Sequence, residues 1–255
     1  MDAERENQNV VSVVSHGDGQ LVVNLLQAIE SLCDYSILRV IVTVNIPEQL
    51  PLAPDRFPFP VVIVRNNAPK GYGANHNAAF KLMQGDVFSV LNPDIRLTAD
   101  PFVVLSERLG ALKAGVVAPL ILSPEGQIED SVRRMITPLR IVKRACRFQK
   151  GLDYEIGTAP IAPDWVAGMF LMFSSRAFAE IGGFDERYYM YCEDADICGR
   201  LRERGQGVWL IPSVRVIHDA RRQSHRDRRH LWWHINSLAR FFITHRTRYP
   251  PARAR

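Results

Sequence analysis

VVIVRNNAPKGYGANHNAAFKLMQGDVFSVLNPD, residues 61 to 94, holds two short apolar runs with a helical stretch between them. Val61 to Val64 and Val87 to Leu91 are rich in β-branched and aromatic residues, and Ala74 to Met83 has helical spacing. This pattern predicts a strand, a crossover helix and a parallel strand. The same theme occurs twice upstream. Val10 to Val14 ends at Ser15-His16-Gly17-Asp18-Gly19 before a helix over 20 to 32, and Val40 to Val44 ends at Asn45-Ile46-Pro47-Glu48. Such alternation predicts an α/β fold with a mostly parallel central sheet flanked by helices.

In an open parallel sheet, ligands bind in the crevice outside the carboxyl ends of the strands. All four polar loops lie at that edge, so they are expected to converge on one site. They contain neither G-x-x-x-x-G-K-S/T nor G-x-G-x-x-G, and few lysines. A bound phosphate then needs another counter-charge, and a divalent metal ion fits that need. Asp94, with the Asn92 amide two residues earlier at the end of a buried strand, suits a hard cation that keeps water and phosphate oxygens. Asn-Pro-Asp is also a common turn sequence. Lys70 to Asn77 combines glycines with Asn75 and Asn77, whose amides suit a base, a ribose or a sugar hydroxyl or else cap a helix. Asn45, Glu48 and Arg65 are candidates for the nucleobase or ribose.

Beyond Asp94 the pattern is less regular. A helix over 101 to 112 leads to an apolar run over 115 to 122, then to a basic, poorly periodic stretch over 133 to 150 expected to be mobile or shaped for an acceptor. Asp164 to Phe173 reads as a buried strand entered by Trp165 and broken by Gly168, with a short helix after it. GGFDERYYMYCEDADICGRLRER, residues 182 to 204, places Glu193, Asp194 and Asp196 at a helix start. Successive helical residues point about 100° apart, so one acid faces the crevice as a base while others cap the helix. On the tetrapeptide alone, three acids that simply stabilise a helix N-terminus are the favoured explanation.

Composition sets the outer bounds. The chain has 255 residues, a formal charge of +5, and cysteines at 33, 146, 192 and 198 with no C-x-x-C pair. Neither a zinc knuckle nor a disulfide framework is indicated. No run approaches the ~20 apolar residues of a membrane span, and the polar start is unlike a signal peptide, so a cytoplasmic protein is expected. Arginines crowd the last 35 residues around an aromatic, helically spaced face from Leu231 to Ile243. That helix either lies on an anionic membrane surface or packs on its own domain with arginines in water. No nucleic-acid-binding motif accompanies it.

The order of motifs resembles the family 2 glycosyltransferases of the GT-A fold, especially the branch with bacterial rhamnosyl- and galactofuranosyltransferases. The residues that carry the resemblance are Val13 to His16, Lys70 to Asn77, Leu91 to Asp94, Trp165 to Gly168, Gly182 to Glu186, Glu193 to Asp196, and His218 after the last apolar strand. It implies one GT-A domain over 1 to 218, with a nucleotide-sugar half over 9 to 98, an acceptor half over 99 to 218, and a basic tail over 219 to 255. By the same resemblance Asp94 corresponds to the last acid of a D-x-D metal motif, with Asn92 where its first aspartate often stands, and His218 to a third metal-side ligand. Asp194 corresponds to the general base. Ser15, His16, Asn45, Glu48, Arg65, Asn67, Gly71, Gly73 and Asn75 would line the nucleotide sugar, and Trp165, Gly168 and Glu193 the wall between donor and acceptor. Where the family often has Asp-Asn-x-Ser after the second strand, this chain has Asn45 to Glu48. The implied activity is inverting, Mg²⁺- or Mn²⁺-dependent transfer from a nucleotide-sugar donor to a glycan or lipid-linked acceptor. Tyr188 to Tyr191 are expected to stack on sugar. A sugar-nucleotide pyrophosphorylase would open with a Gly-x-Gly-Thr-Arg loop, which Ser15 to Asp18 is not. A non-catalytic scaffold binding a glycan or nucleotide is the other reading, because Asn92 and Asn45 stand where acids are expected.

Overall fold

The apolar runs of the first hundred residues become β1 (Asn9–Ser15), β2 (Leu38–Val44), β3 (Val61–Arg65) and β4 (Val87–Leu91), all parallel, in the spatial order β3-β2-β1-β4. They belong to a computed structural model that describes residues 8–82, 85–146, 151–219 and 228–245. The pleat sends alternate side chains to opposite layers. Val11, Val13, Val40 and Val42 pack with Val22, Leu26 and Ile29 of α1 (Gly19–Leu32). Val10, Ile41, Phe88 and Val90 pack instead with Ala79 of α2 (Tyr72–Leu82). The inner strands β1, β2 and β4 are therefore buried on both faces, while the edge strand β3 is partly exposed.

The second half extends the same sheet. After β5 (Ile95–Leu97) and α3 (Phe102–Ala111), β6 (Ala114–Leu122) lies two places beyond β4. The intervening strand is β9 (Phe170–Ser174), antiparallel to both neighbours. β10 (Gly207–His218) runs parallel to β6 and carries β5 on its outer edge, completing the order β3-β2-β1-β4-β9-β6-β10-β5. The expected strand from Asp164 to Phe173 is two strands in two sheets. β8 (Trp165–Val166) pairs with β7 (Val132–Arg133) in a separate ribbon, and Gly168 lies between β8 and β9.

Two further differences concern helices. The basic stretch expected to be irregular contains α4 (Pro138–Ala145), capped by the Thr137 hydroxyl accepting from the Arg140 N–H. Pro at the first helical position after a Thr cap is a helix-start signal, but Leu139 and Val142 are exposed, so no buried periodicity announces the helix. After α5 (Ser175–Glu180) and α6 (Glu193–Glu203), the tail forms α7 (Arg228–His245), which docks one face on the domain. Phe241 is buried, Ser237 donates to the Met190 carbonyl, and His245 Nε2 lies 2.7 Å from Asp196 Oδ1. The opposite face leaves Leu231, Trp232, Ile235 and Ile243 exposed. The packing expected of the tail thus holds for one side of the helix, and the other side is left exposed. Arg221, Arg222, Arg226, Arg246, Arg248, Arg253 and Arg255 lie outside the described residues.

Candidate active site

Three of the four loops at the carboxyl edge are fastened together by asparagines. Asn45 is 4% exposed; its Nδ2 donates to the Lys70 carbonyl and lies 3.0 Å from His16 Nδ1, while its Oδ1 accepts from Asn66 Nδ2 and the Lys70 N–H. Asn75, equally buried, accepts from the same Asn66 amide at 2.7 Å and donates to the Lys70 and Gly71 carbonyls. The Glu48 carboxylate accepts from the Gly17 and Gly19 N–H groups, each at 3.1 Å, and Ser15 Oγ accepts from the Asp18 N–H. Polar atoms of Ser15, Asn45, Glu48 and Asn75 expected to meet the nucleotide are thus engaged in shaping its loops.

The glycines differ from expectation in the same way. A Cβ on Gly71 would lie 2.6 Å from the Tyr189 carbonyl oxygen, and one on Gly73 would lie 2.6 Å from Phe184 Cβ. The close approach that glycine permits here is to the protein's own residues 184 to 189. Asn77 completes that seam, donating to the Phe184 carbonyl and accepting from its N–H. At the rim, His16, Arg65 and Asn67 are exposed. Glu48 and Arg65 line an open cavity of about 600 Å³ beside Ile46 and Pro47.

At the end of β4, the Asn92 N–H donates to the Met169 carbonyl and its own carbonyl accepts from the Ile95 N–H. This turn presents Asp94 toward His218 at the end of β10, with Oδ2 3.4 Å from Nε2. Asp94 Oδ1 is buried and has no hydrogen-bond partner. On the far side of the imidazole, His218 Nδ1 lies 2.8 Å from Glu129 Oε2, a partner 89 residues away in sequence that no local motif announces. Burial alone would lower the His218 pKa, but the hydrogen bonds and charges of Asp94 and Glu129 outweigh it and the pKa is raised.

The fit to a divalent cation follows from these atoms. Among the described residues there is no group of three His, Cys, Asp or Glu side chains that would hold a metal. One carboxylate with an orphaned oxygen beside one imidazole leaves most of a coordination shell to water and phosphate oxygens, as Mg²⁺-type sites do. Glu129 is placed to fix the orientation of the imidazole, as carboxylates behind metal-bound histidines do. Asp94 and His218 fit the ion.

Tyr72, at the first position of α2, links this side to the other. Its hydroxyl donates to the Gly168 carbonyl, and the Gly168 N–H donates to Asp194 Oδ2 at 3.1 Å. Burial first, then the charges of Glu193, Asp194 and Asp94, push the Tyr72 pKa well above its usual value. It is therefore a neutral hydroxyl among three carboxylates. The sequence motif contains Tyr72, but nothing in its spacing marks the role.

α6 starts after two residues in the left-handed region, Tyr191 at φ 72° and Cys192 at φ 65°. Such conformations cost of order 1–3 kcal/mol each and persist only where surrounding structure imposes them. The outcome corrects the expectation that Glu193 and Asp194 face apart, because both line one cavity of about 400 Å³. Asp194 Oδ1 accepts from the Ala195 N–H at 2.8 Å. Burial raises the Asp194 pKa, against the pull of main-chain donors and the Arg133 charge. Glu193 is 7% exposed, its Oε2 has no partner, and burial followed by the Asp194 charge drives its pKa well above the usual carboxylate range. Two N–H donors and the Arg133 charge favour the ionised form of Asp194, whereas Glu193 Oε2 has no such donor.

Trp165 closes another wall, its Nε1 donating to the Arg134 carbonyl and its ring 5.2 Å from the Arg133 guanidinium. Asp196 faces away, bonded to Arg200 Nε and His245 Nε2 at 2.7 Å each. Of the aromatic run, Tyr188 is fully buried and cannot meet a sugar, and Tyr189 stacks on Trp233 at 4.8 Å. Tyr191 lines the cavity.

The architecture is that of the GT-A glycosyltransferases. Solved structures similar to it include GalNAc-T7 with UDP, GalNAc and Mn²⁺, at a TM-score of 0.67 and 15% identity over 86% of this chain and 45% of that one. The mannosyltransferase PcManGT of Pyrobaculum calidifontis, in complex with GDP-Man and Mn²⁺, matches at 0.66 and 16% identity over 96% and 66%. In sequence, the N-acetylglucosaminyl-diphospho-decaprenol L-rhamnosyltransferase of Mycobacterium tuberculosis is 30% identical over 198 residues, 69% of this chain and 64% of that protein. Rhamnosyltransferase WbbL of Escherichia coli is 28% identical over 192 residues, 69% and 71% respectively. The chain thus spans 64% of the length of its mycobacterial relative. No protein-family profile matches it. The chain is thus similar in fold to the GT-A glycosyltransferases and in sequence to rhamnosyltransferases, in keeping with the family 2 resemblance.

Proposed function

We propose that this protein transfers a sugar, with inversion, from a nucleotide-diphosphate donor such as dTDP-rhamnose or a UDP-sugar to a hydroxyl of a glycan or lipid-linked acceptor in cell-surface polysaccharide or O-antigen synthesis. The observation that carries the reading is the Tyr72–Gly168–Asp194 hydrogen-bond path, which ties the Asp94 and His218 edge to the Asp194 cavity. Asp194 takes the proton of the acceptor hydroxyl as that oxygen attacks the anomeric carbon and the bond to the donor phosphate breaks. Burial raises the Asp194 pKa while main-chain donors and the Arg133 charge oppose that rise, a balance that suits a buried base. Asp94 and His218 would hold Mg²⁺ or Mn²⁺, which when bound offsets the charge on the departing diphosphate. Gly168 sets the spacing between the two halves, since a Cβ there would lie 3.1 Å from the Tyr72 hydroxyl. Glu48, Arg65, His16 and Asn67 stand at the rim where the base and ribose would lie.

The names of the relatives support this substrate class, and their acceptor points to work at a membrane surface. No helix among the described residues is long and apolar enough to cross a membrane. Exposed Leu231, Trp232, Ile235 and Ile243 on α7, with Arg229 and Arg240 on the same helix, suit peripheral attachment to an anionic cytoplasmic leaflet. Thermal unfolding with nucleoside diphosphates and nucleotide sugars tests the donor site. One nucleotide should raise the melting temperature with Mn²⁺ and not with EDTA, and the matching sugar donor should release nucleoside diphosphate. Absence of any shift or release across the panel would support a scaffold.

A further inference from the structure

Glu193 lines the Asp194 cavity, yet the transfer step gives it nothing to do. It follows two consecutive left-handed residues, Tyr191 and Cys192, which set the direction in which α6 begins. Strained backbone of this kind persists where the surrounding structure over-determines it, and it clusters at ligand sites. The side chain is almost wholly buried, and among the described residues its Oε2 has no hydrogen-bond partner. An acid that serves only a helix start gains from being ionised and solvated. Glu193 is in the reverse situation, because burial and then the Asp194 charge oppose its ionisation. Asp194 accepts from two main-chain N–H groups and Asp196 is bonded to Arg200 and His245, so Glu193 is the acid of the three left short of partners.

A buried polar group without a partner is a cost that a bound ligand can remove. The carboxyl end of a glutamate turns readily, since its last torsion is broad and roughly two-fold. In its neutral form it has one O–H donor and accepting oxygens, the complement of an alcohol. Resting on the glycosyltransferase reading above, we propose that Glu193 determines acceptor specificity by hydrogen-bonding a second hydroxyl of the acceptor sugar, next to the hydroxyl that Asp194 deprotonates. The acceptor class is then a sugar with two adjacent free hydroxyls, one the nucleophile and the other a recognition group. Two successive carboxyls at the start of α6, both lining one cavity, suit neighbouring oxygens of one ring. Tyr191, in the same lining, offers an aromatic face to that ring. A site built to bond a hydroxyl rejects the analogue that lacks it, because its own polar group is left unpaired.

Octyl glucoside, galactoside, mannoside and N-acetylglucosaminide serve as acceptor probes, read by nucleoside diphosphate release above the water background. Each monodeoxy derivative of the accepting glycoside is then compared with its parent. In the wild type, removing one hydroxyl adjacent to the glycosylated position should lower kcat/KM about tenfold or more. Glu193→Ala should fall by a similar factor on the parent and treat parent and deoxy derivative alike within about twofold, the non-additivity expected of groups in contact. Glu193→Gln, which keeps a donor and an acceptor in the same shape, should retain most of the discrimination. Wild-type indifference to both adjacent deoxy derivatives would overturn the proposal whatever the variants do, so a Glu193→Ala chain that fails to fold leaves the test decisive. Equal discrimination by folded Glu193→Ala and wild type would overturn it too. Failure of the transferase reading, which removes the proposal with it, shows separately as no nucleoside diphosphate release from any donor, with or without acceptor.

Discussion

Asp194 and Glu193 are neighbours in sequence with opposite electrostatic situations. Asp194 has two main-chain donors and a nearby guanidinium, whereas Glu193 has a buried oxygen with nothing to bond. Arg133 favours the ionised form of Asp194, so removing that charge raises the pKa of the base. In Arg133→Gln the acid limb of kcat/KM should therefore move to higher pH, seen in a rate profile against the wild type; an unmoved limb would detach Arg133 from the base. The place of Asp194 at a helix start after the Gly-Gly-Phe-Asp turn was legible, and its proposed role as base comes from the family resemblance. The duties of Asn45 and Asn75 were not. An asparagine in a polar loop looks the same in sequence whether its amide meets a ligand or the carbonyl of Lys70, and only the fold decides.

At the scale of elements, α2 illustrates how a motif at a binding edge also builds the core. His76 is buried with Nδ1 2.8 Å from Ser12 Oγ of β1, and burial lowers its pKa to about 3. The folded state keeps the ring neutral, while the unfolded chain takes up a proton below pH ~6.5. That contribution to stability is fully present above about pH 6.5 and is lost as pH falls toward 3. His76→Gln should flatten the fall in melting temperature between pH 7 and 5, and an equally steep fall would assign the acid sensitivity to other groups. The strands of the first half were readable because β-branched runs buried on both faces leave a continuous apolar signal. α4 was not, because Leu139 and Val142 face out while Arg140 and Arg144 join Ile141 in lining the cavity, unlike the apolar stripe that marks an ordinary surface helix.

Across the whole molecule, the parallel half places its loops on one edge, and antiparallel β9 reverses the chain so that Gly168 arrives at the same edge from the other half. α7 then covers part of the cavity at Asp194, where His234 and Leu238 join its lining. Because Phe241 and His245 anchor this helix in the core, removing it would disturb the domain. Substitution of its outer face is the cleaner probe: Trp232→Ser, Ile235→Ser and Ile243→Ser together should reduce flotation with anionic liposomes severalfold while leaving the melting temperature nearly unchanged. Unaltered flotation would place membrane attachment elsewhere. Asp194→Asn separates the proposed base from the donor site directly. Turnover should fall by roughly 10² or more while nucleotide binding with Mn²⁺ stays at wild-type strength. Near-normal turnover in that variant would contradict the assignment of Asp194 as the base.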